Sequence, residues 1–270
     1  VELIPAKRFT AAVHGKVAIM PRPHLKLLTY NIHKGFNITN RKFVLHQIRE
    51  TLQATDVDLA FLQEIHGEHS GHQLRTKNWP DVSQYEFLAD QLWPHYAYGK
   101  NAIYNSGHHG NAILSKFPFD AWENLNVSLF KRASRSLLHG VLNVPGASRQ
   151  IHVICVHLDQ VRLLRNQQMK RLALRIRESI PADAPLIVAG DFNDWSDHVS
   201  RFLFAEPAMK EVHHTLYGRH AMTYPAGWPV LPLDRIYYRN INVVSCHCVA
   251  GQSWHALSDH MPLYAEFELD

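Results

Sequence analysis

One stretch narrows what this chain can fold into: Leu186-Ile-Val-Ala-Gly190-Asp191-Phe192-Asn193-Asp194-Trp195. Its first four residues are apolar and read as a buried strand. The strand stops at Gly190 and delivers Asp191, Asn193 and Asp194 at its end. Sheets flanked by helices place chemistry at such strand ends. Taken alone, the same residues also suit a strand followed by an Asx-turn. Recurrence favours the first reading. Residues 25–30 form a strand that ends in Asn31-Ile-His33-Lys34-Gly35. Residues 59–62 end in Gln63-Glu64, and residues 151–156 end in His157-Leu158-Asp159. A strand over 233–238 carries Asp234 near its start, and Asp259-His260 precede a last strand over 262–269.

The segments between these strands supply the helices. Val44, Ile48 and Leu52 recur at helical spacing, so a helix spans about 41–54 with Asn40 as its N-cap. A second spans about 161–179, with Leu164, Leu172 and Ile176 on one side. The bases of that helix, Arg162, Arg165, Lys170, Arg171, Arg175 and Arg177, read mostly as a solvated face. Arg165 and Gln168 lie near its start, where they are placed to point at the strand ends. Shorter helices are expected over 85–93 and 196–204. Short strands are expected over 96–99, 102–104, 111–115, 137–144 and 241–249. Residues 67–80 read as a polar, His-rich surface loop and 107–110 as a flexible turn. The pattern is α+β, strands of mixed direction flanked by helices. Residues 1–24, with Pro5, Pro21 and Pro23 and no clear period, read as an N-terminal extension to one domain over 25–270.

The composition excludes few functions. With 46% hydrophobic and 19% charged residues, the chain resembles an ordinary globular protein. No apolar run reaches about eighteen residues, so no transmembrane helix is expected. Val1-Glu2-Leu3-Ile4-Pro5 does not read as a secretory signal, and three cysteines make no disulfide framework; together these suggest a cytoplasmic setting. Cys246-His247-Cys248 reads as an alternating strand more than a metal site. The net charge of +4 favours an anionic partner. A monomer is expected.

Collected, the strand-end groups are Asn31, Glu64, His157, Asp191, Asn193, Asp234, Asp259 and His260. Hard oxygen donors dominate, which suits Mg²⁺ or Mn²⁺ better than Zn²⁺. Carboxylates around a hard cation, with His and Arg nearby, make a site for attack on a phosphate ester. The cluster Lys131-Arg132-Ala-Ser-Arg135 suits phosphate recognition, or alternatively a solvated strand edge. His109 is placed to touch a ligand from the 107–110 turn, or to lie in an exposed polar loop. Trp195 and Trp228 offer stacking surfaces for bases, although packing within their loops is the slightly favoured reading.

Seven pieces of the chain, in order, resemble the endonuclease/exonuclease/phosphatase superfamily. They are Leu28-Thr-Tyr-Asn31, Leu62-Gln-Glu64, Asn111-Ala-Ile-Leu-Ser115, Val156-His157-Leu158, Gly190-Asp191-Phe192-Asn193, Leu233-Asp234-Arg235-Ile236 and Ser258-Asp259-His260. The Asn31–Gly35 opening, the 86–90 piece, the Gly107-His-His-Gly-Asn-Ala112 turn and the 190–195 piece resemble an uncharacterised bacterial branch. The resemblance implies a four-layer α/β/β/α sandwich, two packed mixed sheets with helices outside and the site at one rim. It also implies roles. Asn31, Glu64 and Asp259 would serve the metal, Glu64 directly. Asp191 would orient or deprotonate the attacking water, and Asn193 would bind the phosphoryl oxygen. His260, oriented by Asp234, would contact the phosphate or move a proton, and His157 would assist the leaving group. Asn111, Arg135, Arg165, His109 and Trp195 complete the expected substrate side.

The function expected from these readings is a Mg²⁺- or Mn²⁺-dependent phosphodiesterase acting on nucleic acid, DNA more than RNA. The alternative keeps the chemistry and changes the substrate to a phospholipid head group or another small phosphoester. Val156-His157-Leu158-Asp159, followed by Arg165 and Gln168, resembles those branches more than abasic-site nucleases. The loop from Trp228 to Pro232 would then be an apolar lip against a membrane. A binding module without catalysis is the least favoured reading, because the glutamate, the Asp-x-Asn and the final Asp-His are all present.

Overall fold

The computed structural model describes residues 22–129, 134–206, 208–251 and 254–270. The expected N-terminal extension lies almost wholly outside these, and so do Lys131 and Arg132. The strands are β1 (His24–Asn31), β2 (Leu59–His69), β3 (His95–Tyr104), β4 (Gly107–Ser115), β5 (Phe119–Asn126) and β6 (Ser136–Leu142). They continue as β7 (Ile151–His157), β8 (Leu186–Asp191), β9 (Lys210–Glu211), β10 (Asp234–Arg239), β11 (Asn242–Cys248) and β12 (Leu263–Glu268). The α-helices are α1 (Leu45–Gln53), α2 (Ser70–Arg75), α3 (Gln84–Ala89), α4 (Arg162–Ser179), α5 (His198–Phe204), α6 (Val212–Tyr217) and α7 (Trp254–Leu257).

Among the described residues the strands form two six-stranded sheets, ordered β11-β12-β1-β2-β4-β3 and β5-β6-β7-β8-β10-β9. Both are mixed. β1 runs parallel to β2 and β7 parallel to β8, while the other pairings are antiparallel. Alternation along each strand creates the layers, because successive side chains point to opposite faces. Leu25 and Leu27 of β1, Val153 and Cys155 of β7, Ile187 and Ala189 of β8, and Ile236 and Tyr238 of β10 share the core between the sheets. Leu28 and Tyr30 turn the other way and pack with Leu45, Ile48 and Leu52 of α1. Ile154, Val156, Leu186 and Val188 pack with Met169, Leu172 and Ile176 of α4. The result is the expected four-layer sandwich.

Several local expectations are corrected. Helix α1 starts at Leu45 with Val44 as N-cap; Asn40 instead takes a left-handed φ of 56° in the preceding loop. Residues 67–80 are not simply a loop, since β2 runs on to His69 and α2 follows. Gly107–Gly110 is not a turn but the first part of β4, paired across to β2 and β3. The two short strands over 96–104 are one strand with a bulge between Lys100 and Ala102. β5 lies over residues to which no strand was assigned, with all eight of its residues partly or fully exposed to solvent on a sheet edge. Trp195 and Trp228 are not packed in their loops; they are 56% and 78% exposed.

Candidate active site

The same alternation that builds the inter-sheet core selects the residues at its rim. Asn31 continues the inward series of Leu25 and Leu27, His157 that of Val153 and Cys155, and Asp191 that of Ile187 and Ala189. Asp234 begins the inward series of Ile236 and Tyr238 on β10, which runs antiparallel to β8, so Asp234 lies directly opposite Asp191. His157 lies opposite Asp191 on the other side. β12 runs antiparallel to β1, which brings the segment before it, Ser258-Asp259-His260, to the same end. Three strand ends and two strand starts therefore meet at one rim.

Glu64 arrives there by a different route. The β2–β4 register shifts between Leu62 and Ile65, and Glu64 takes a φ of 56°. Gln63 stays in the core, donating to Thr29 Oγ1 at 3.1 Å and to Cys155 Sγ at 3.3 Å on the facing sheet. The bulge turns the next side chain out of the pleat towards the rim.

Asp191 is the hub. Its Oδ2 accepts from Asn31 Nδ2 at 3.1 Å across the two sheets, and its Oδ1 accepts from the Asn193 backbone N–H at 2.9 Å. His157 Nε2 and His260 Nε2 lie 3.6 and 3.7 Å from Asp191 Oδ2. His260 Nδ1 lies 2.8 Å from Asp234 Oδ2, which also accepts from Thr223 Oγ1 at 2.6 Å. Asn193, with a φ of 49°, donates its amide to the Leu158 carbonyl at 3.0 Å. Ser258 Oγ donates to the Asn31 carbonyl at 2.7 Å and ties the last loop to β1.

The electrostatics follow from burial and charge. Burial pushes the Asp191 carboxyl up, against the pull of His260. Burial alone would lower His260, but the Asp234 and Asp191 carboxylates outweigh it and raise the imidazole to about 10. Asp191 and His260 thus bias each other's protonation at short range. His157 is held well below the ordinary imidazole range by burial and by Arg135, so it is neutral. Burial also opposes ionisation of Glu64, yet His157 and Lys34 hold that carboxyl at about 2. With His157 neutral, the Lys34 ammonium, 2.8 Å from Glu64 Oε2, is the cation that acts.

Two groups suit a metal. Asp191, Asp234 and His260 have donor atoms within 4.8 Å of one another, and Asp234 Oδ1 is buried without a partner. Glu64, Asn31 and Asp259 offer harder, oxygen-only donors. The ionised Glu64, already paired with an ammonium, marks a place where positive charge is favoured. This donor chemistry fits a hard divalent cation.

The remaining expected substrate-side residues are spread around this rim. Asn111 is buried in β4, donating to the Ser136 carbonyl at 3.4 Å, with its Oδ1 unpartnered. Arg135 and His109 both lie near enough to alter the charge at the site: Arg135 acts on His157, and Glu64 acts on His109. Arg165 is 1% exposed and does not belong to a solvated face. It donates to the carbonyls of Asp159 and Gln160 at 3.1 and 2.8 Å and lies 3.5 Å from Asp194, so it braces the loops behind Asp191. Trp195 covers its guanidinium at 5.6 Å. Gln168 accepts from the Asp159 N–H at 2.8 Å.

Four further residues belong to the site: His33, Lys34, Thr223 and Ser258. His33 Nδ1 lies 3.7 Å from Asp259 Oδ1. A base beside Gly35, directly after a strand that ends in Asn31, was the available signal for Lys34. No comparable signal marks Thr223, which reaches Asp234 from a loop eleven residues upstream.

Comparisons with known proteins bear on the family and the fold. A family model for the endonuclease/exonuclease/phosphatase family matches residues 28–260. The chain is 42% identical over 244 residues to the Uncharacterized protein YbhP of Escherichia coli, covering 90% of this chain and 96% of that one. A UPF0294 protein of Vibrio parahaemolyticus is 24% identical over 259 residues, covering 95% and 82%. Among solved structures, an endonuclease/exonuclease/phosphatase from Beutenbergia cavernae superposes with a TM-score of 0.72 at 18% identity, covering 92% of this chain and 72% of that one. D. rerio TDP2 complexed with single strand DNA product gives 0.67 at 18% identity, covering 91% and 99%. The human Nocturnin catalytic domain with bound sulfate gives 0.69 at 19% identity, covering 92% and 94%. The structural likenesses establish a shared fold. With most of its length matched by the family model, the chain belongs to the endonuclease/exonuclease/phosphatase family, whose members are generally metal-dependent phosphoester hydrolases.

Proposed function

We propose that this protein is a Mg²⁺- or Mn²⁺-dependent phosphodiesterase acting on nucleic acid, with DNA as the preferred substrate. The observation that carries the reading is the hub at Asp191, a buried carboxylate bonded to Asn31 and flanked by His157 and by the His260–Asp234 pair. Glu64, Asn31 and Asp259 would hold the cation. When bound, it neutralises phosphate charge and the charge that builds in the transition state.

The protein groups divide the rest of the work. Asp191, lifted by burial, takes a proton from the attacking water. Asp234 keeps His260 protonated and fixes its orientation, so that its Nε2–H faces the phosphate. Neutral His157 stands by the leaving oxygen. Asn193, His109 and Arg135 contact phosphoryl oxygens, and Asn111 and Arg165 keep the walls in place. The net charge of +4 and the exposed faces of Trp195 and Trp228 suit a polyanion with stackable bases. The TDP2 relative solved with single strand DNA product supports the same choice.

A second reading has its own observation. The loop beside His260, where Tyr224 packs on the imidazole at 5.0 Å, exposes Met222, Trp228 and Val230. Such an apolar edge next to the site suits a phospholipid head group presented at a membrane surface.

The test is metal-dependent hydrolysis of plasmid DNA, blocked and unblocked oligonucleotides, phospholipid vesicles and a small phosphodiester, with Glu64→Ala as control. DNA cleavage that needs Mg²⁺ or Mn²⁺ and is absent in the control is the expected result. Vesicle or small-ester turnover with intact DNA would replace the substrate with that of the second reading. Inactivity on every substrate would sink both readings.

A further inference from the structure

A second group of ligating side chains, of different chemistry, lies along the β2–β4 edge. His66 and His69 are in the last part of β2, His72 is in α2, and His109 pairs opposite His66 in β4. The His66 ring centre lies 4.9 Å from that of His69, 5.6 Å from His72 and 5.9 Å from His109, and His69 lies 4.1 Å from His72. His66 is 1% exposed, and neither of its ring nitrogens has a hydrogen-bond partner. A buried polar group left unpaired is destabilising, and a ligand at the ring nitrogen would offset that cost.

The spacing suits an ion better than a hydrogen-bonded network. Imidazoles sharing one tetrahedral ion, with metal–nitrogen bonds near 2.0–2.1 Å, have ring centres roughly 5 Å apart. The three separations among His66, His69 and His72 bracket that distance. The donors are all imidazole, which selects a borderline ion over Mg²⁺. We propose that His66, His69 and His72 form a binding site for a divalent transition-metal ion of the zinc class, separate from the carboxylate site.

Local contacts say what binding changes. His69 Nδ1 accepts the His72 backbone N–H at 3.0 Å and caps α2, so an ion bound at Nδ1 replaces that bond. Among the described residues, only Asp191, Asp234 and His260 already have donor atoms within 4.8 Å of one another. The partly exposed His69 and His72 rings therefore rotate to close on the ion, while burial holds His66. Helix α2 buries none of its own side chains, and His72 stacks on Trp79 with ring centres 5.3 Å apart. The ion would staple this short helix to the sheet.

The test uses the full chain, stripped with chelator and kept in excess Mg²⁺ so that hard-donor sites are filled. Co²⁺ and Zn²⁺ binding are measured by equilibrium dialysis, with the visible spectrum of Co²⁺ as the reporter of imidazole ligands. Expected are about one tightly bound ion per chain in the parent and in Glu64→Ala. Affinity should fall at least about ten-fold in His72→Ala and His66→Gln. His72→Ala alters a partly exposed side chain, so its far-ultraviolet circular dichroism without metal should match the parent. Unchanged affinity in both histidine variants would overturn the proposal. So would absence of binding in the parent, or binding lost in Glu64→Ala and kept in the histidine variants.

Discussion

His260 Nδ1 lies 2.8 Å from Asp234 Oδ2, and Thr223 Oγ1 donates to that same oxygen at 2.6 Å. The pair joins a loop to the start of β10 and sets the imidazole against Asp191. Asp234→Asn keeps the shape and removes the charge. Turnover should fall by about 10²–10⁴-fold, the usual scale of acid–base help, which steady-state kinetics on the active substrate would measure. In metal-free protein the folded imidazole is raised from 6.5 to about 10. Its stabilisation is therefore complete below pH 6.5 and is lost as pH rises towards 10. Denaturant melts across that window should show a smaller alkaline loss in Asp234→Asn than in the parent.

Glu64 keeps its charge because Lys34 stands 2.8 Å away. Glu64→Gln should leave the thermal midpoint within a few degrees of the parent while metal-dependent turnover drops by about a hundred-fold or more. Equal turnover in the two proteins would remove Glu64 from the metal set.

Gly190 is required by its position immediately before Asp191. Its φ is 149°, and a Cβ there would lie 2.0 Å from the Val156 carbonyl oxygen of the neighbouring strand. Gly190→Ala must push β7 and β8 apart at the rim, so it should cost on the order of 2–4 kcal/mol. A urea midpoint close to that of the parent would show that the strands yield more easily than this contact allows.

A pH effect is also expected away from the site. His139 of β6 is buried; its Nδ1 accepts from Arg175 Nε at 3.1 Å, and its Nε2 lies 3.0 Å from His152 Nδ1. Burial, Arg175 and His152 lower the His139 imidazole to about 4. The unfolded chain, titrating near 6.5, binds more protons between these values. Stability from this group is thus present above pH 6.5 and is lost as pH falls to about 4, by up to about 3 kcal/mol. His139→Gln should flatten the stability slope between pH 6.5 and 4 in urea melts.

Much of the site could be read from the chain because strand periodicity is a local property. The inward series ending in Asn31, His157 and Asp191 was visible as apolar runs terminated by polar groups. The bulge that turns Glu64 to the rim was not visible, yet Gln63-Glu64 still stood at a strand end. The errors have physical causes. Asn40 satisfies cap chemistry, but the chain takes a left-handed turn there and the helix waits for Leu45. Gly107–Gly110 has turn-like composition, but β2 and β3 pair on both sides and hold it extended. Arg165, by contrast, was set apart from the other bases by its place near the helix start, and two carbonyls and Asp194 hold it inward.

By itself, the sequence determined the strand ends, the hard-oxygen character of their side chains and the family pattern, since each depends on neighbours within a few residues. Only the tertiary structure decided that Asn31 meets Asp191 across 160 positions, that Trp195 and Trp228 stay exposed, and that His66 is walled in by three other imidazoles. These depend on how the two sheets pack and on where β2 and β4 pair, and no local pattern encodes such distances.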